Sequence, residues 1–255
     1  ANGIFGYGMA GSSSSLTNLV NSSGVISSDV TGVGTAREGS AATEYGGDKA
    51  IFGYGANISG TYVSMTNLVN SSGVVATDTT GVGQTRTGLA ACGYGDDKGI
   101  FGYGHDASNY VSMTNLVSNS GVVATDVTGV GTDRGRLAAC EYGEDKGIFG
   151  FGYTGSNVSM TNLVNNSGVV ASDVTGVGSS RRYLAACGYG GDKGIFAYGY
   201  ISGASSLSNL VSNAGVVATD TTGVGTVRWY LAACEYGTDK AIFAYGYNGS
   251  NVSMS

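Results

Sequence analysis

The stretch DKGIFGYG, at residues 97–104, recurs in four close copies along the chain, at 48–55, 145–152, 192–199 and 239–246. Its Ile-Phe pair marks six positions spaced by 47 to 49 residues, which are Ile4, Ile51, Ile100, Ile148, Ile195 and Ile242. A period of this length is typical of propeller blades or solenoid turns. We therefore expect residues 1–255 to form a single repeat domain, whose units start near these isoleucines and whose last unit is partial.

Each repeat contains four apolar runs separated by Gly, Ser, Thr and Asn, and we name them a, b, c and d. In the third repeat they cover residues 136–143, 146–152, 157–164 and 168–176. The chain has 46 Gly, no Pro and 12% charged residues, a composition that favours short strands over long helices. The sequence therefore predicts an all-β fold, a β-propeller built of four-stranded antiparallel blades.

The number of blades is not settled by counting runs. The chain starts at run b and ends within run c, so it has six b–c hairpins but only five d runs and five a runs. A closed ring of five blades would leave one hairpin over, and a ring of six would lack one d–a connection. We expect six blades, with five as the alternative.

Alternation within run b suggests why it recurs. In an extended strand Phe101 and Tyr103 would share one face, and Ile100, Gly102 and Gly104 the other. An aromatic ridge on one blade would then fill a glycine groove on the next, so every contact between blades would repeat the same packing.

The composition argues against several classes of partner. A net charge of −6 and a pI near 4.6 disfavour a nucleic-acid surface. No stretch approaches the roughly 18 apolar residues of a membrane span, so membrane insertion is not expected. The start, ANGIFGYGMAG, has no signal-peptide core and no initiator Met, which suggests a processed or cropped chain.

The order of residues at 181–199, RRYLAACGYGGDKGIFAYG, resembles a kelch repeat, in which an Arg and a small-residue strand precede an Asp-Lys turn and a strand ending in glycines. The resemblance covers nearly the whole chain and implies a propeller used for protein interaction. The chain departs from it by having single glycines between aromatics in place of a glycine doublet. The strings SMTNLV (64–69) and GVVATDTTGVG (73–83) also resemble repeat arrays in tail or virion proteins of tailed phages.

Differences between the copies point to a candidate binding surface. The a–b and c–d turns barely change, whereas the b–c loops and the two residues after the repeated Arg vary freely. In an antiparallel meander these two variable segments emerge on the same side of the disc. Loops on a rigid scaffold commonly carry recognition, although neutral drift of exposed loops is the alternative. The candidate ligand-binding residues are Tyr62, His105, Tyr110, Arg136, Tyr153, Arg182, Tyr183, Tyr200, Trp229, Tyr230 and Tyr247.

Residues that could carry chemistry have simpler interpretations. Cys92, Cys140, Cys187 and Cys234 hold one position of run a and lack the short spacing of a zinc site, so we interpret them as small buried residues. The repeated Asp, Arg and Lys cancel in charge and fit structural pairing or turn capping. His105 is the single histidine and lies in a variable loop. We expect no catalytic residue, metal site or cofactor.

These observations together predict a non-enzymatic binding or structural propeller. We expect an extracellular or virion module, compatible with a place in a larger assembly, that recognises a glycan or a protein surface through aromatic side chains with Ser and Asn. The alternatives are an intracellular kelch-type scaffold, which free cysteines would suit, and a designed consensus propeller.

Overall fold

The structure is a computed structural model that describes residues 2–255. Within that range all regular secondary structure is β-strand, as the sequence predicts. The strands are, in chain order, β1 (Gly3–Met9), β2 (Ser13–Val20), β3 (Arg37–Glu38), β4 (Ala41–Tyr45), β5 (Lys49–Gly53), β6 (Ala56–Asn57), β7 (Thr66–Val69), β8 (Ala90–Tyr94), β9 (Lys98–Gly102), β10 (Thr114–Val117), β11 (Ala138–Tyr142), β12 (Lys146–Tyr153), β13 (Asn157–Val164), β14 (Ala185–Tyr189), β15 (Lys193–Tyr200), β16 (Ala204–Val211), β17 (Ala232–Tyr236) and β18 (Lys240–Ala244).

Each complete repeat folds into an antiparallel a–b–c meander with run b in the centre. We number the sheets along the chain: sheet 1 is built on β1–β2, sheet 2 is β4–β5–β7, sheet 3 is β8–β9–β10, sheet 4 is β11–β12–β13, sheet 5 is β14–β15–β16 and sheet 6 is β17–β18. The short strands β3 and β6 extend sheet 1 towards the b–c loop of sheet 2. The a strands of sheets 2 to 6 pack side by side in sequence order.

Run d differs from the predicted fourth strand. It forms no continuous ladder with run c of its own unit, and the two runs have only two isolated β-bridges. Between the bridges, the buried Asn67 of β7 donates Nδ2 to the carbonyl of Ala76 at 3.0 Å and to Asp78 Oδ1 at 2.9 Å. The Asn side chain thus takes a position that a backbone donor would hold in a ladder, so the outer edge of sheets 1 to 5 is an irregular segment.

Neighbouring sheets pack an aromatic ring against a glycine. A Cβ atom on Gly53 would lie 2.8 Å from Phe101 Cζ of the next sheet, and one on Gly102 would lie 2.7 Å from Phe149 Cζ. Only a residue without a side chain allows this approach. Beside five of the Phe rings of run b lies an aromatic ring of the preceding sheet, with centroids 5.1 to 5.7 Å apart, in the pairs Tyr7–Phe52, Tyr54–Phe101, Tyr103–Phe149, Phe151–Phe196 and Tyr198–Phe243. Phe5 of sheet 1 lies 5.4 Å from Tyr245 of sheet 6.

The two aromatics of run b lie on opposite faces, so the prediction that Phe101 and Tyr103 share a face is wrong. Phe101 packs against Gly53 of the preceding sheet, while Tyr103 packs on Phe149 of the following sheet. The cause is a local change of backbone: Tyr103 has φ 65° and leaves the extended conformation. The ladder of the equivalent strand β12 shifts register at this same place, between Gly150 and Gly152, as a β-bulge does.

A buried arginine links each sheet to the next. The side chain of Arg134 is fully buried, and its guanidinium lies 4.2 Å from the ring centre of Tyr103. Its Nη2 donates to Asn162 Oδ1 at 2.6 Å, its Nε donates to the carbonyl of Phe151 at 3.0 Å, and its Nη1 lies 3.8 Å from Asp173. The equivalent ion pairs, with N–O distances of 3.4 to 3.8 Å, are Arg37–Asp78, Arg86–Asp126, Arg134–Asp173 and Arg181–Asp220.

The arginine network predicts that Asp173 contributes to the stability of the fold, whereas the equivalent Asp29 does not. Asp173 faces Arg134 and also accepts hydrogen bonds from the backbone and hydroxyl of Thr132. Asp29 holds the same position in the first repeat, but within residues 2–255 no arginine pairs with it. We expect D173N to lower the free energy of unfolding by about 2 kcal/mol, because it leaves a buried cation without its counter-charge.

The matched control is D29N, for which we expect a change below about 0.5 kcal/mol. Urea unfolding of the two variants and the parent chain, followed by tyrosine and tryptophan fluorescence, measures both. Equal losses in the two variants would contradict the role given to the arginine.

Candidate binding surface

The variable segments contact one another on one side of the structure. The residue that follows each repeated Arg bridges to the b–c loop of the next sheet. Thr87 and His105, for example, exchange backbone hydrogen bonds of 3.0 and 2.9 Å. Equivalent bridges join Gly135 to Tyr153 and Trp229 to Tyr247. The placement of both segments on one side, which the meander predicts, is what the structure has.

The candidate residues of the b–c loops form a continuous outer row. Tyr62 OH lies 3.5 Å from His105 Nδ1, and the His105 ring packs edge-on against Tyr110 with centroids 5.0 Å apart. The row continues through Arg182, which bridges two neighbouring rings. Its successive contacts are Tyr110–Tyr153 at 5.8 Å, Arg182 over Tyr153 at 4.7 Å and over Tyr200 at 4.9 Å, Tyr200–Trp229 at 5.1 Å and Trp229–Tyr247 at 5.6 Å.

An inner row runs alongside it at the start of the a strands. Its members are Gly39, Gly88, Arg136, Tyr183 and Tyr230, the second residue after each repeated Arg. Each backbone N–H donates to the carbonyl of the preceding member, over N–O distances of 2.7 to 3.0 Å. The inner row is therefore one hydrogen-bonded line that crosses from sheet to sheet.

All five members of the inner row have left-handed backbone, with φ between 55° and 62°. Gly39 and Gly88 adopt this conformation without penalty, whereas an L residue with a side chain pays on the order of 1 kcal/mol. Arg136, Tyr183 and Tyr230 are thus bulky residues at a position where glycine would be more stable. Backbone strain of this kind clusters at functional sites. Sequence analysis identified the variation but not its cost, although two copies with Gly at the position were a signal.

The two rows meet in an aromatic patch at sheets 5 and 6. The rings of Tyr183 and Tyr230 have centroids 3.9 Å apart, and Tyr230 stacks on Trp229 at 4.5 Å with the planes 26° apart. Arg136 lies over Tyr183 at 5.0 Å. Tyr230 remains 56% exposed, so the patch offers a broad aromatic face to solvent. All eleven candidate residues from the sequence belong to these two connected rows.

The patch carries positive charge. Among the described residues neither Arg136 nor Arg182 forms an ion pair, and Arg182 Nη1 donates to the amide oxygen of Asn157 at 3.0 Å. Burial, followed by the Tyr183 hydroxyl, raises the pKa of Tyr230, so its phenol is neutral at physiological pH. Two cations framed by aromatic rings therefore lie together on a chain with a net charge of −6.

A second feature, which sequence analysis missed, is a row of carboxylates on the a strands. The residue after the Cys/Thr position alternates along the sheets as Glu44, Gly93, Glu141, Gly188 and Glu235. The Glu141 carboxyl occupies the space that a side chain at Gly93 would fill, and burial together with the Glu44 carboxylate raises its pKa. Burial and Glu44 also raise the pKa of Glu235. The alternation was visible in the sequence, but only packing of adjacent a strands brings the acids together.

The cysteines fit the interpretation of small buried residues. Cys92, Cys140 and Cys187 are buried, and the structure has all four thiols free within residues 2–255. A Cβ atom on Gly147 would lie 2.6 Å from Cys92 Sγ, so the thiol fills a glycine site of the following sheet. Burial raises the pKa of Cys140, which disfavours the reactive thiolate.

Comparison of the sequence with models of protein families and with curated proteins finds no match. In the part of the chain that the structure describes, no three His, Cys, Asp or Glu side chains are grouped so that they could hold a metal ion. The same residues include no helix of the length and apolarity needed to cross a membrane. Function is therefore inferred from the two rows described above.

The carboxylate row predicts a pH-dependent stability. The raised pKa of Glu141 means that the folded chain binds this proton more tightly than the unfolded chain. The stabilisation is complete below pH 4.5, the ordinary pKa, and is lost as the pH rises through the raised value. We expect the parent chain to lose at least about 1 kcal/mol more than E141Q between pH 5 and pH 8, measured by urea unfolding at both values, because each pH unit between the ordinary and the raised pKa costs up to about 1.4 kcal/mol.

The matched control is E144Q, which removes the same charge from an exposed turn of the same repeat. It should keep the pH dependence of the parent chain. If E141Q and E144Q show the same dependence, the carboxyl of Glu141 is not the group responsible.

Proposed function

We propose that the six sheets form a propeller-like ring with six positions, in which the irregular d segments are the outer edges. The Tyr245–Phe5 contact supports closure, because it repeats between sheets 6 and 1 the contact made at the five other junctions. A Cβ atom on Gly3 would also lie 2.5 Å from Cys234 Sγ, the same thiol-to-glycine contact as elsewhere. A five-position ring would instead bring Tyr245 against Phe52, whose ring packs on Tyr7.

We propose that this scaffold is a non-enzymatic binding module and that its ligand is a carbohydrate carrying an acidic group. The observation that carries the proposal is the strained inner row: Arg136, Tyr183 and Tyr230 keep large side chains where glycine would cost less. Flat aromatic faces suit the C–H faces of sugar rings and lose little entropy on binding. The guanidinium groups of Arg136 and Arg182 suit a carboxylate or sulfate.

The contacts of His105 support binding over catalysis. Its ring packs between Tyr62 and Tyr110 in the outer row. The carboxylate of the neighbouring Asp106 is already used by the backbone N–H groups of Ser108 and Asn109, at 3.0 and 2.7 Å. Asp106 is thus a turn-forming residue, and its hydrogen bonds support a structural role for it.

A protein surface is the second candidate ligand. The same patch of Tyr, Trp and Arg is the composition found at the centres of protein interfaces. An extracellular or virion location and a kelch-type scaffold role both stay predictions.

The binding proposal predicts that either of two changes in the patch strongly weakens sugar binding. We expect a glycan array to show binding to acidic glycans by the parent chain, and at least a tenfold loss of affinity in W229A and in Y230G. The glycine variant removes the ring and also the energetic penalty of left-handed backbone at Tyr230, so its unfolding free energy should stay within about 1 kcal/mol of the parent.

The matched control is Y189A, which removes a tyrosine from the opposite side of the structure, next to an a–b turn. It should bind as the parent chain does. Absence of binding across the whole array would contradict a carbohydrate ligand and favour a protein partner.

A further inference from the structure

The junction between sheets 6 and 1 has two open strand edges. In sheet 3, Gly102 of the central strand pairs with Ala90 on one side and Thr114 on the other. Within residues 2–255, β1 pairs along one edge only, with β2, and β18 pairs only with β17. The place of an a strand beside β1 and that of a c strand beside β18 are therefore unfilled. Unpaired strand edges are ready to accept another extended segment.

Side chains at this junction lack the arginine that their equivalents have. Asn18 donates to Asp29 Oδ1 at 2.9 Å, and this is the pair that receives a guanidinium in the following sheets. No arginine among the described residues lies over the Tyr245 ring, although the five equivalent rings each have one at 4.2 to 4.6 Å. The two sides of the junction thus form a site for one guanidinium, with the Tyr245 ring on sheet 6 and the Asn18–Asp29 pair on sheet 1.

A packing contact is also incomplete on both sides. The tyrosine that ends an a strand packs on the glycine of the next c–d turn, as Tyr45 does on Gly121 and Tyr236 does on Gly24. Tyr189 has no such turn in the described part of sheet 6. Gly73 faces Leu19, and no tyrosine of the described residues lies against it. The missing partners are a c–d turn and the end of an a strand.

We propose that this junction is a docking site for one extended polypeptide segment with the repeat order c, d, Arg, a. Such a segment would pair its c portion with β18, insert its arginine between Tyr245 and the Asn18–Asp29 pair, and lay its a portion along β1. The inference rests on the ring arrangement proposed above and is independent of any ligand of the variable side.

The carboxylate row restricts which residue the a portion of the segment can have after its Cys/Thr position. Glu44 and Glu235 would be the neighbours of the residue that follows its small Cys/Thr position. A glycine there continues the alternation, whereas a glutamate would bring a third carboxylate between two others. The segment of residues 162–193, which contains Arg181 and Gly188, has the required order and the required glycine.

A synthetic peptide with the sequence of residues 162–193 tests the proposal. Added to the whole chain under reducing conditions, it should bind in a 1:1 complex by calorimetry and native mass spectrometry, and it should raise the melting temperature. We expect the peptide variants R181Q and G188E, and the chain variant D29N, each to weaken binding at least tenfold. R181Q and D29N combined should weaken it by less than the product of the two effects, because both remove one ion pair.

Other outcomes would overturn the proposal. These are no binding of the parent peptide, or binding that R181Q and D29N leave unchanged. A concentration-dependent dimer of the chain that the peptide does not dissociate would instead assign the junction to a second copy. The variant W229A should bind the peptide as the parent chain does, so a failure of the carbohydrate proposal leaves this result unaffected.

Discussion

The arginine between run d and run a is the interaction on which the rest of the structure depends. A guanidinium without solvent is costly unless its charge and all its donors are matched. In the case of Arg134, one face rests on an aromatic ring of its own unit. Two of its nitrogens donate to an Asn side chain and a backbone carbonyl of the next sheet, and an Asp of that sheet lies 3.8 Å from the third. A single sheet therefore cannot supply the hydrogen-bond acceptors and the counter-charge that its buried arginine needs. The repeat is stable only when it packs against the next repeat.

The same arginine explains why variable residues can follow it directly. Arg181 is buried, and the next two residues, Arg182 and Tyr183, make separate backbone contacts. One bridges to the b–c loop at Tyr200, and the other joins the inner row by its backbone. Because the backbone hydrogen bonds in both places need no particular side chain, these positions can change while their backbone geometry stays constant, at a cost of about 1 kcal/mol where a side chain replaces glycine in the inner row.

The sequence was sufficient for those features that depend on one repeat or on the period. It predicted all-β units, glycine-to-aromatic packing and the shared side of the variable loops. It misplaced Tyr103 because alternation assumes extended backbone, and it gave run d a full strand because the competing Asn67 side chain is invisible to a hydropathy pattern. The carboxylates of Glu44 and Glu141 were missed since they meet only across sheets.

The two ends of the inner row differ in their side chains, so the variable side of the structure is asymmetric. Gly39 and Gly88 have no side chains, so the first part of the row is flat. The large side chains of Arg136, Tyr183 and Tyr230 project from the rest of the row. Since the backbone line is continuous across all five, the difference lies in the side chains alone. Under the binding proposal, an elongated ligand lies with its bulk over the glycines and its charged end at the arginines. On that proposal the strain at these three positions has a physical reason, because glycine there would remove the side chains that make one end of the row differ from the other.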